Sequence, residues 1–376
     1  MTIRLCGARR WLAVATSLLA AWPCPEGPGD TRGGDHTPQI RCRATPSRTH
    51  LGQQPQQPVF REHVEVARVV VDARVLDGEG RPIRGLGPAD FRVTIDGRAA
   101  RVESATWVEG GAVDEEGLPV RAAPQSAAAV QQGPTGRLVL FLFQKDFEPS
   151  RMIGLMRMLA ETRRHLGRFT EADRVAVGSF DTHLKIWVDF TNQFEDVHLA
   201  LRRRILFERS RPPEPSGWPS LFPRLRLEAA RKTYTMEGAL RLLADALAPL
   251  PGAKSLVLVG HGFGRFDGHT LSFDRTYGPA IRSLQSGRVT VYALDTTQAD
   301  RHTLEAGLIH VAEETGGFFD RTHLSSRRGL GRLEGALAGH YVLLVEKPVT
   351  DAGPHRIAVR LVGRRGTVLA RRGFVG

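Results

Sequence analysis

Apolar residues from position 137 onwards follow two alternating patterns. Apolar runs such as 138–143 (LVLFLF) and 255–259 (SLVLV) are typical of strands buried on both faces of a parallel sheet. Segments between such runs, for example 151–167, place their apolar residues at helical spacing. Strands that alternate with helices predict the α/β fold class, with a doubly wound, mostly parallel sheet that has helices on both faces. We expect 341–345 to be the last strand of this domain.

Apolar and polar residues alternate on either side of this block, which is the pattern of strands with one buried and one solvated face. Before the block, the alternation predicts a small all-β module over 61–109. After it, arginines alternate with apolar residues and predict a C-terminal β hairpin over 347–376 that packs through one face. The strands of the two regions are predicted at 64–76, 91–95, 100–108, 356–362 and 367–374.

The first 25 residues have the pattern of a secretory signal peptide. Arginines precede an apolar stretch, 11–22, that is too short to span about 30 Å of hydrocarbon. We therefore expect a secreted or periplasmic protein whose mature chain has no transmembrane span. Cys24 and Cys42 could pair if both survive processing, and the sequence leaves that pairing open. The predicted boundaries are a signal peptide at 1–25, a disordered tether at 26–60, a linker at 110–135 and an α/β domain at 136–346.

The positive charge of the chain is confined to a few regions. Its 376 residues include 52 Lys and Arg against 40 Asp and Glu, a formal net charge of +12. The excess lies at 1–60, 201–232 and 347–376, and the rest of the chain is slightly acidic. Basic surfaces bind nucleic acids through their phosphates, but an exported protein meets little nucleic acid. We therefore expect no specific nucleic-acid binding, and a protein partner of unknown identity, associated with the cell envelope.

Ligands of doubly wound sheets bind beyond the carboxyl ends of the strands, where the strand order switches direction. Three predicted loops lie at this edge, after the first strand of the domain, before the helix at 236–248 and after 255–259. Asp295 ends a further strand and could line the same cleft. The candidate binding residues are Gln144, Asp146, Glu148, Thr233, Thr235, Gly260, His261 and Asp295.

Several longer segments of the chain keep a characteristic order and spacing. They include VVVDARVLDGEGRPIRGLGPADFRVTIDGRAARVES, ADRVAVGSFDTHLKIWVDFT, ALRLLADALAPLPGAKSLVLVGHGF, VTVYALD, AEETGGFF and YVLLVEKP. Their order and spacing resemble the von Willebrand factor type A domain. More narrowly, the chain is similar to VWFA-related proteins typical of Acidobacteria, over about residues 64–376. The resemblance implies secretion, a β module before the type A domain and a β extension after it, and it implies no known reaction.

Type A domains often hold Mg²⁺ at a metal-ion-dependent adhesion site, through an Asp-x-Ser-x-Ser motif, a Thr and an Asp. Here Gln144 replaces the leading carboxylate, and Asp146 and Glu148 replace the two hydroxyls. Thr233 or Thr235 supplies the threonine, whereas Gly260 or His261 stands where the last carboxylate is expected. The site is therefore degenerate. Asp146, Glu148 and Thr235 could still hold Mg²⁺ or Ca²⁺; alternatively, Asp146 and Glu148 are solvated charges of a loop or a helix N-terminus.

The loop at 260–264 (GHGFG) has the frame of the nucleophile elbow of α/β hydrolases. Gly262 occupies the nucleophile position, and without a hydroxyl there is nothing for His261 to activate. The sequence therefore predicts a non-enzymatic protein that captures a protein partner through the loops at the carboxyl edge of the sheet. The alternative is a structural or assembly component of the bacterial cell envelope.

Overall fold

The structure is a computed structural model that describes residues 2–4, 67–109, 136–211, 213–217, 219–348 and 352–376. The predicted tether and linker, both cysteines of the proposed pair and the predicted signal peptide after residue 4 lie outside the described residues. Residues 2–4 form a short strand that pairs antiparallel with Thr270–Ser272. Among the described residues, no helix combines the length and the apolar character needed to cross a bilayer.

Strands predominate at both ends of the described chain, and strands and helices alternate between them. The strands are β1 (Thr2–Arg4), β2 (Arg68–Leu76), β3 (Phe91–Ile95), β4 (Arg98–Ala100), β5 (Val102–Val108), β6 (Leu138–Gln144), β7 (Arg174–Phe180), β8 (Leu184–Thr191), β9 (Lys254–Gly260), β10 (Arg265–Phe266), β11 (Thr270–Ser272), β12 (Val289–Asp295), β13 (Phe319–Arg321), β14 (His340–Glu346), β15 (Pro354–Leu361), β16 (Thr367–Ala370) and β17 (Gly373–Val375). The α-helices are α1 (Pro149–His165), α2 (Phe194–Leu199), α3 (Ile205–Phe207), α4 (Leu227–Arg231), α5 (Met236–Leu247), α6 (Tyr277–Ser286), α7 (Glu305–Thr315) and α8 (Ser326–Leu337), and a π-helical turn (Ala200–Arg204) joins α2 to α3.

A six-stranded sheet in the order β13-β12-β9-β6-β7-β8 forms the centre of the molecule. Its first five strands are parallel and β8 pairs antiparallel with β7. Every residue of β6, β9 and β12 is buried, because helices cover both faces of the sheet. The prediction of an α/β fold with a mostly parallel sheet is confirmed.

The helices divide between the two faces of the sheet according to the apolar side chains they bury. One face packs against α1, α8 and the α2–α3 segment through residues such as Leu155, Leu333 and Val197. The other face packs against α5, α6 and α7 through residues such as Leu240 and Leu308. Burial of these side chains stabilises the sheet by about 25 cal/mol for each Å² of apolar surface removed from water.

The strand order places the switch point between β6 and β9. From β6 the chain crosses over α1 to β7 on one side, whereas from β9 it crosses over α6 to β12 on the other. Loops that leave adjacent strands in opposite directions open a crevice at the carboxyl edge of the sheet. The two loops that form it begin at Gln144 and Gly260, so they are two of the three loops that the sequence indicated.

Eight of the remaining strands form one β-sandwich, whereas β1, β11 and β10 form a separate three-stranded sheet. The two sheets of the sandwich have the orders β16-β2-β14-β5 and β17-β15-β3-β4, and they pack around a shared core that includes Val71, Ile95, Tyr341 and Ile357. The predicted separate module at 61–109 is therefore completed by strands from the other end of the described chain.

Two expectations from the sequence were wrong in this region. The strand predicted at 341–345 lies between β2 and β5 of the sandwich and not at the edge of the parallel sheet. The tail at 347–376 is not a self-contained hairpin, because β15 pairs with β3 and β17, whereas β16 pairs with β2. An apolar run such as that of β14 shows that a strand is buried but not which neighbour it pairs with.

The basic tail is partly neutralised by the α/β domain. Exposed and buried residues alternate at the start of β15, as its sequence predicts. Arg356 bonds both carboxylate oxygens of Glu314, at 3.0 and 2.8 Å, and Arg372 bonds Glu313 at 2.7 Å. Both glutamates lie on α7, so these ion pairs attach the sandwich to the α/β domain.

A charged pair lies buried where the sandwich meets the α/β domain. Asp72 of β2 accepts two hydrogen bonds from Arg288, at 2.9 and 2.5 Å, and lies 3.4 Å from His340. Burial opposes the ionisation of Asp72, but the contacts with His340 and Arg288 outweigh it and hold the pKa of Asp72 well below its usual range. Arg371 lies nearby and donates to the carbonyls of Gln285 and Val70.

Candidate functional site

Gln144 ties together the two loops that form the crevice. Its side-chain amide donates to the carbonyl of Gly262 at 2.8 Å, and its oxygen accepts from the backbone N–H groups of His261 and Gly262 at 3.1 and 3.2 Å. A Cβ on Gly260 would lie 2.5 Å from that oxygen, so glycine is required for this approach. Gln144 thus positions the two loops relative to each other, and its side-chain amide forms these hydrogen bonds within the protein.

We expect Gln144→Ala to lower the free energy of unfolding by about 2 kcal/mol, because it leaves buried backbone groups of the 261–262 turn without a partner. Chemical denaturation monitored by circular dichroism would measure the difference. Gln298→Ala is the matched control, since Gln298 is exposed. A Gln144 variant as stable as the Gln298 variant would contradict the role assigned to the amide.

The acidic residues after β6 bond to the start of α1. Glu148 caps the helix by accepting from the backbone N–H groups of Ser150 and Arg151 at 3.2 and 3.0 Å. Asp146 forms an ion pair with the Arg151 guanidinium and accepts from the N–H of Glu148 at 3.1 Å. Burial would raise the pKa of Asp146, but the bonds from Arg151 and Glu148 lower it overall. Hydrogen bonds from Ser150 and Arg151 lower the pKa of Glu148.

The two threonines before α5 also have partners within their own segment. The Thr235 hydroxyl caps α5 by accepting from the N–H of Gly238 at 3.2 Å. The Thr233 hydroxyl donates to the carbonyl of Ala229 at 2.6 Å. The structure therefore gives Thr235 a local role at the start of α5 and Thr233 a local role at the end of α4.

A hard cation at Asp146, Glu148 and Thr235 would have to replace several of these contacts. It would displace the Arg151 guanidinium from Asp146, and it would compete with helix N–H groups for the oxygens of Glu148 and Thr235. These contacts do not fit an oxygen cage for Mg²⁺ or Ca²⁺. A metal at these three residues stays a prediction from the sequence.

His261 is buried beside the crevice in its neutral form. The residue is 8% exposed, its Nε2 lies 3.6 Å from an oxygen of Asp146, and its Nδ1 has no hydrogen-bond partner among the described residues. Burial lowers the pKa of His261 to about 4, despite the nearby carboxylates of Asp146 and Asp295. His261 therefore carries no charge at neutral pH.

Asp295 belongs to a cluster that the sequence only partly indicated. It is fully buried at the end of β12, accepts from the N–H of Thr297 at 2.9 Å and lies 2.9 Å from Nε2 of His302. Glu305, at the start of α7, is held by two bonds from Arg321 to one of its oxygens, at 3.0 and 2.8 Å. Sequence reasoning missed His302 and Glu305, although their spacing just after a buried strand that ends in an aspartate was a usable signal.

Large apolar side chains are exposed around the same edge of the sheet. The four most exposed ones among the described residues are Phe147 (77%), Phe207 (75%), Tyr234 (76%) and Leu324 (78%). Phe147 follows β6, Tyr234 precedes α5, and Leu324 follows β13, so all three lie at the carboxyl ends of the parallel strands. We call these four side chains the apolar rim.

Lys145 brings Phe147 and Phe207 to the same side of the crevice. Its ammonium group lies 5.4 Å from the centre of the Phe147 ring and donates to the carbonyls of Ile205 and Leu206 at 3.3 and 3.4 Å. Phe207 is the next residue, at the end of α3. One lysine therefore contacts one exposed aromatic ring and holds the backbone next to the other.

No protein-family model and no curated protein sequence matches the chain. Solved structures similar to parts of it include a von Willebrand factor type A protein from Catenulispora acidiphila, with a TM-score of 0.38 and 8% identity over 82% of this chain and 72% of that one. BatB from Bacteroides thetaiotaomicron is similar with a TM-score of 0.33 and 14% identity, over 53% of this chain and 97% of that one.

A third similar structure is the PilB minor pilin from Streptococcus sanguinis, with a TM-score of 0.34 and 10% identity over 73% of this chain and 87% of that one. The neighbours thus include a protein with a von Willebrand type A domain. Likenesses of this size show neither an activity nor a partner of this chain.

Proposed function

We propose that the protein is an exported binding protein that captures a partner protein with the apolar rim at the carboxyl edge of its parallel sheet. The observation that carries the proposal is the position of the rim, because the four most exposed large apolar side chains of the described residues all belong to segments at this one edge. Aromatic side chains are enriched in protein interfaces and supply most of their hot spots. Export rests on the pattern of the first 25 residues.

The backbone around the rim supports binding through preformed loops. Gln144 joins the loops after β6 and β9, and Glu148 and Thr235 cap the helices that follow Phe147 and Tyr234. Fixed loops lose less conformational entropy on binding, which leaves more of the contact energy for affinity.

The proposal assigns no reaction to the crevice. Gly262 has a φ of +99° and its Cβ position lies 2.3 Å from the carbonyl oxygen of Leu304, so a serine or cysteine nucleophile does not fit there. We therefore propose a non-enzymatic role, as the sequence predicts.

Site-specific photo-cross-linking tests the rim in the cells that make the protein. A benzophenone amino acid at position 147, 207 or 234 is expected to form the same discrete adduct with one partner protein. The control position is Val362, which is exposed in the sandwich. No discrete adduct from any rim position, or the same adduct from position 362, would reject the proposed surface.

The purified partner then allows an affinity measurement. We expect Phe147→Ala and Phe207→Ala each to weaken binding by about tenfold, as for truncated aromatic hot spots of more than 1 kcal/mol. Val362→Ala should leave the Kd unchanged. Because the rim side chains are exposed, both substitutions should change the melting temperature of the protein no more than ordinary surface substitutions do.

A further inference from the structure

A cluster of metal-ligating side chains lies at the end of β12, apart from the residues that the sequence indicated for a cation. One ligand atom from each of Asp295, His302 and Glu305 lies within 4.8 Å of the others. Nε2 of His302 and the carboxylate of Asp295 are already 2.9 Å apart. Ligands around one Zn²⁺ ion lie about 3–3.5 Å from one another, since each is about 2.0–2.2 Å from the metal. Small side-chain movements would therefore bring the three ligands around one ion.

The carboxylate of Glu305 keeps one oxygen available for a ligand. Both bonds from Arg321 go to Oε2, and Oε1 receives no hydrogen bond from the described residues. Asp295 is likewise oriented by the N–H of Thr297, which bonds to its other oxygen. Metal ligands are commonly oriented in this way by groups behind them.

Two buried polar atoms beside the cluster lack partners, which is a separate indication of a ligand. Nδ1 of His261 and the hydroxyl of Thr297 have no hydrogen-bond partner among the described residues. Thr297 bonds Asp295 through its backbone, and the loop of His261 packs directly against Leu304, between His302 and Glu305. Buried polar atoms are nearly always paired, because an unpaired one costs about 1–3 kcal/mol.

The glycines at this contact show that the two segments are held close together. A Cβ on Gly262 would lie 2.3 Å from the Leu304 carbonyl oxygen, and a Cβ on Gly307 would lie 2.5 Å from that of Phe263. Backbone packing therefore keeps the turn of His261 close to the segment that carries His302 and Glu305.

We propose that Asp295, His302 and Glu305 bind a divalent first-row transition-metal ion of the Zn²⁺ type. One imidazole with two carboxylates suits Zn²⁺, Mn²⁺ or Co²⁺, whereas Mg²⁺ and Ca²⁺ prefer oxygen ligands alone. The ion would join the end of β12 to the start of α7 and would bind the oxygen of Glu305 that receives no hydrogen bond from the described residues. The site does not depend on the partner-binding function proposed above.

Calorimetric titration of the tag-free, EDTA-treated full chain with Zn²⁺ is expected to show one ion bound per chain, with a matching rise in Tm. Co²⁺ should give the d–d absorption of a site that contains nitrogen and oxygen ligands. Mg²⁺ should not compete at equal concentration. Absence of saturable Zn²⁺ binding would overturn the proposal.

Two substitutions identify the ligands. His302→Ala and Glu305→Gln should each weaken Zn²⁺ binding by at least about 10–100-fold. A loss of this size is seen even when the replaced group only hydrogen-bonds a metal ligand. They are preferred to changes at Asp295, which is fully buried, and the conservative Glu305→Gln decides the question if His302→Ala fails to fold.

Two control variants test whether Zn²⁺ binds at other residues of the chain. His269→Ala removes an exposed histidine in the turn between β10 and β11, and Asp146→Asn alters the site suggested by the sequence. Both should bind Zn²⁺ as the unmodified chain does. Loss of binding in either control, or unchanged binding in both His302→Ala and Glu305→Gln, would place the ion elsewhere and refute the assignment.

Discussion

Replacing Asp72 by alanine is expected to lower the free energy of unfolding by about 3–5 kcal/mol, the usual loss when one member of a buried ion pair is removed. Asp72 is the carboxylate that Arg288 bonds through two nitrogens, and both side chains are largely buried. Without it, the Arg288 guanidinium stays buried near Arg371 with no neutralising charge. Urea denaturation followed by circular dichroism at neutral pH measures the loss.

A double substitution distinguishes the loss of the pair from a change in packing. Asp72→Leu combined with Arg288→Met removes both charges and should recover most of the stability, because well-packed apolar replacements of buried pairs are often neutral or better. A single Asp72→Ala variant within about 1 kcal/mol of the unmodified chain would contradict the argument, since surface pairs contribute no more than that.

The same pair predicts how stability depends on pH. The folded pKa of Asp72 is below its unfolded value, so the stabilisation is fully present above about pH 4 and is lost as the pH falls through the folded pKa. The difference in stability between the unmodified chain and Asp72→Ala should therefore narrow below about pH 4. A difference in stability between the two proteins that widens as the pH falls would contradict this prediction.

Gly335→Ala in α8 is expected to destabilise the protein by about 3 kcal/mol, at the upper end of the range for overpacked sites. A Cβ at this position would lie 1.9 Å from the carbonyl oxygen of Gly80, in the turn that follows β2. No side-chain rotation relieves a clash with a backbone atom, so α8 would have to move away from the sandwich. Thermal and denaturant unfolding would both report the change.

Gly331→Ala in the same helix is the matched control. Its Cβ would meet no atom within 4 Å, and alanine favours an exposed helix interior over glycine by about 1 kcal/mol. The control should therefore stabilise the protein slightly, while Gly335→Ala destabilises it. Equal effects at both positions would show that the close approach of α8 to Gly80 is not needed.

The local elements of the α/β domain were predictable because each has its own pattern. The run at 138–143 is apolar throughout, and the strand β6 that contains it is buried on both faces. The sequence also predicted that the loops of Gln144 and His261 lie at the carboxyl edge of the sheet, and in the structure hydrogen bonds join these two loops. The hydrogen bonds between Gln144 and the 261–262 turn could not be predicted, because the sequence does not show that the side-chain amide reaches this backbone.

Pairing between distant segments was not predictable from local patterns. The residues of β14 are as apolar as those of the parallel strands, yet this strand pairs with β2 and β5. The small hairpin of β10 and β11 was missed, because two- and three-residue strands have too few positions to show a period. His302 and Glu305 differ from these cases, because they follow Asp295 by only seven and ten residues and their spacing was a usable local signal.

The position of β14 between β2 and β5 has a consequence for biosynthesis. These two neighbouring strands leave the ribosome long before β14, which follows the entire α/β domain in the chain. At about 5–20 residues per second, β2 waits roughly 15–50 seconds for its partner strand. During that interval its apolar face and unpaired backbone are open to other nascent chains. We expect the α/β domain to fold first and the sandwich to close in a late step, because it also needs β15, β16 and β17, which follow β14 in the chain.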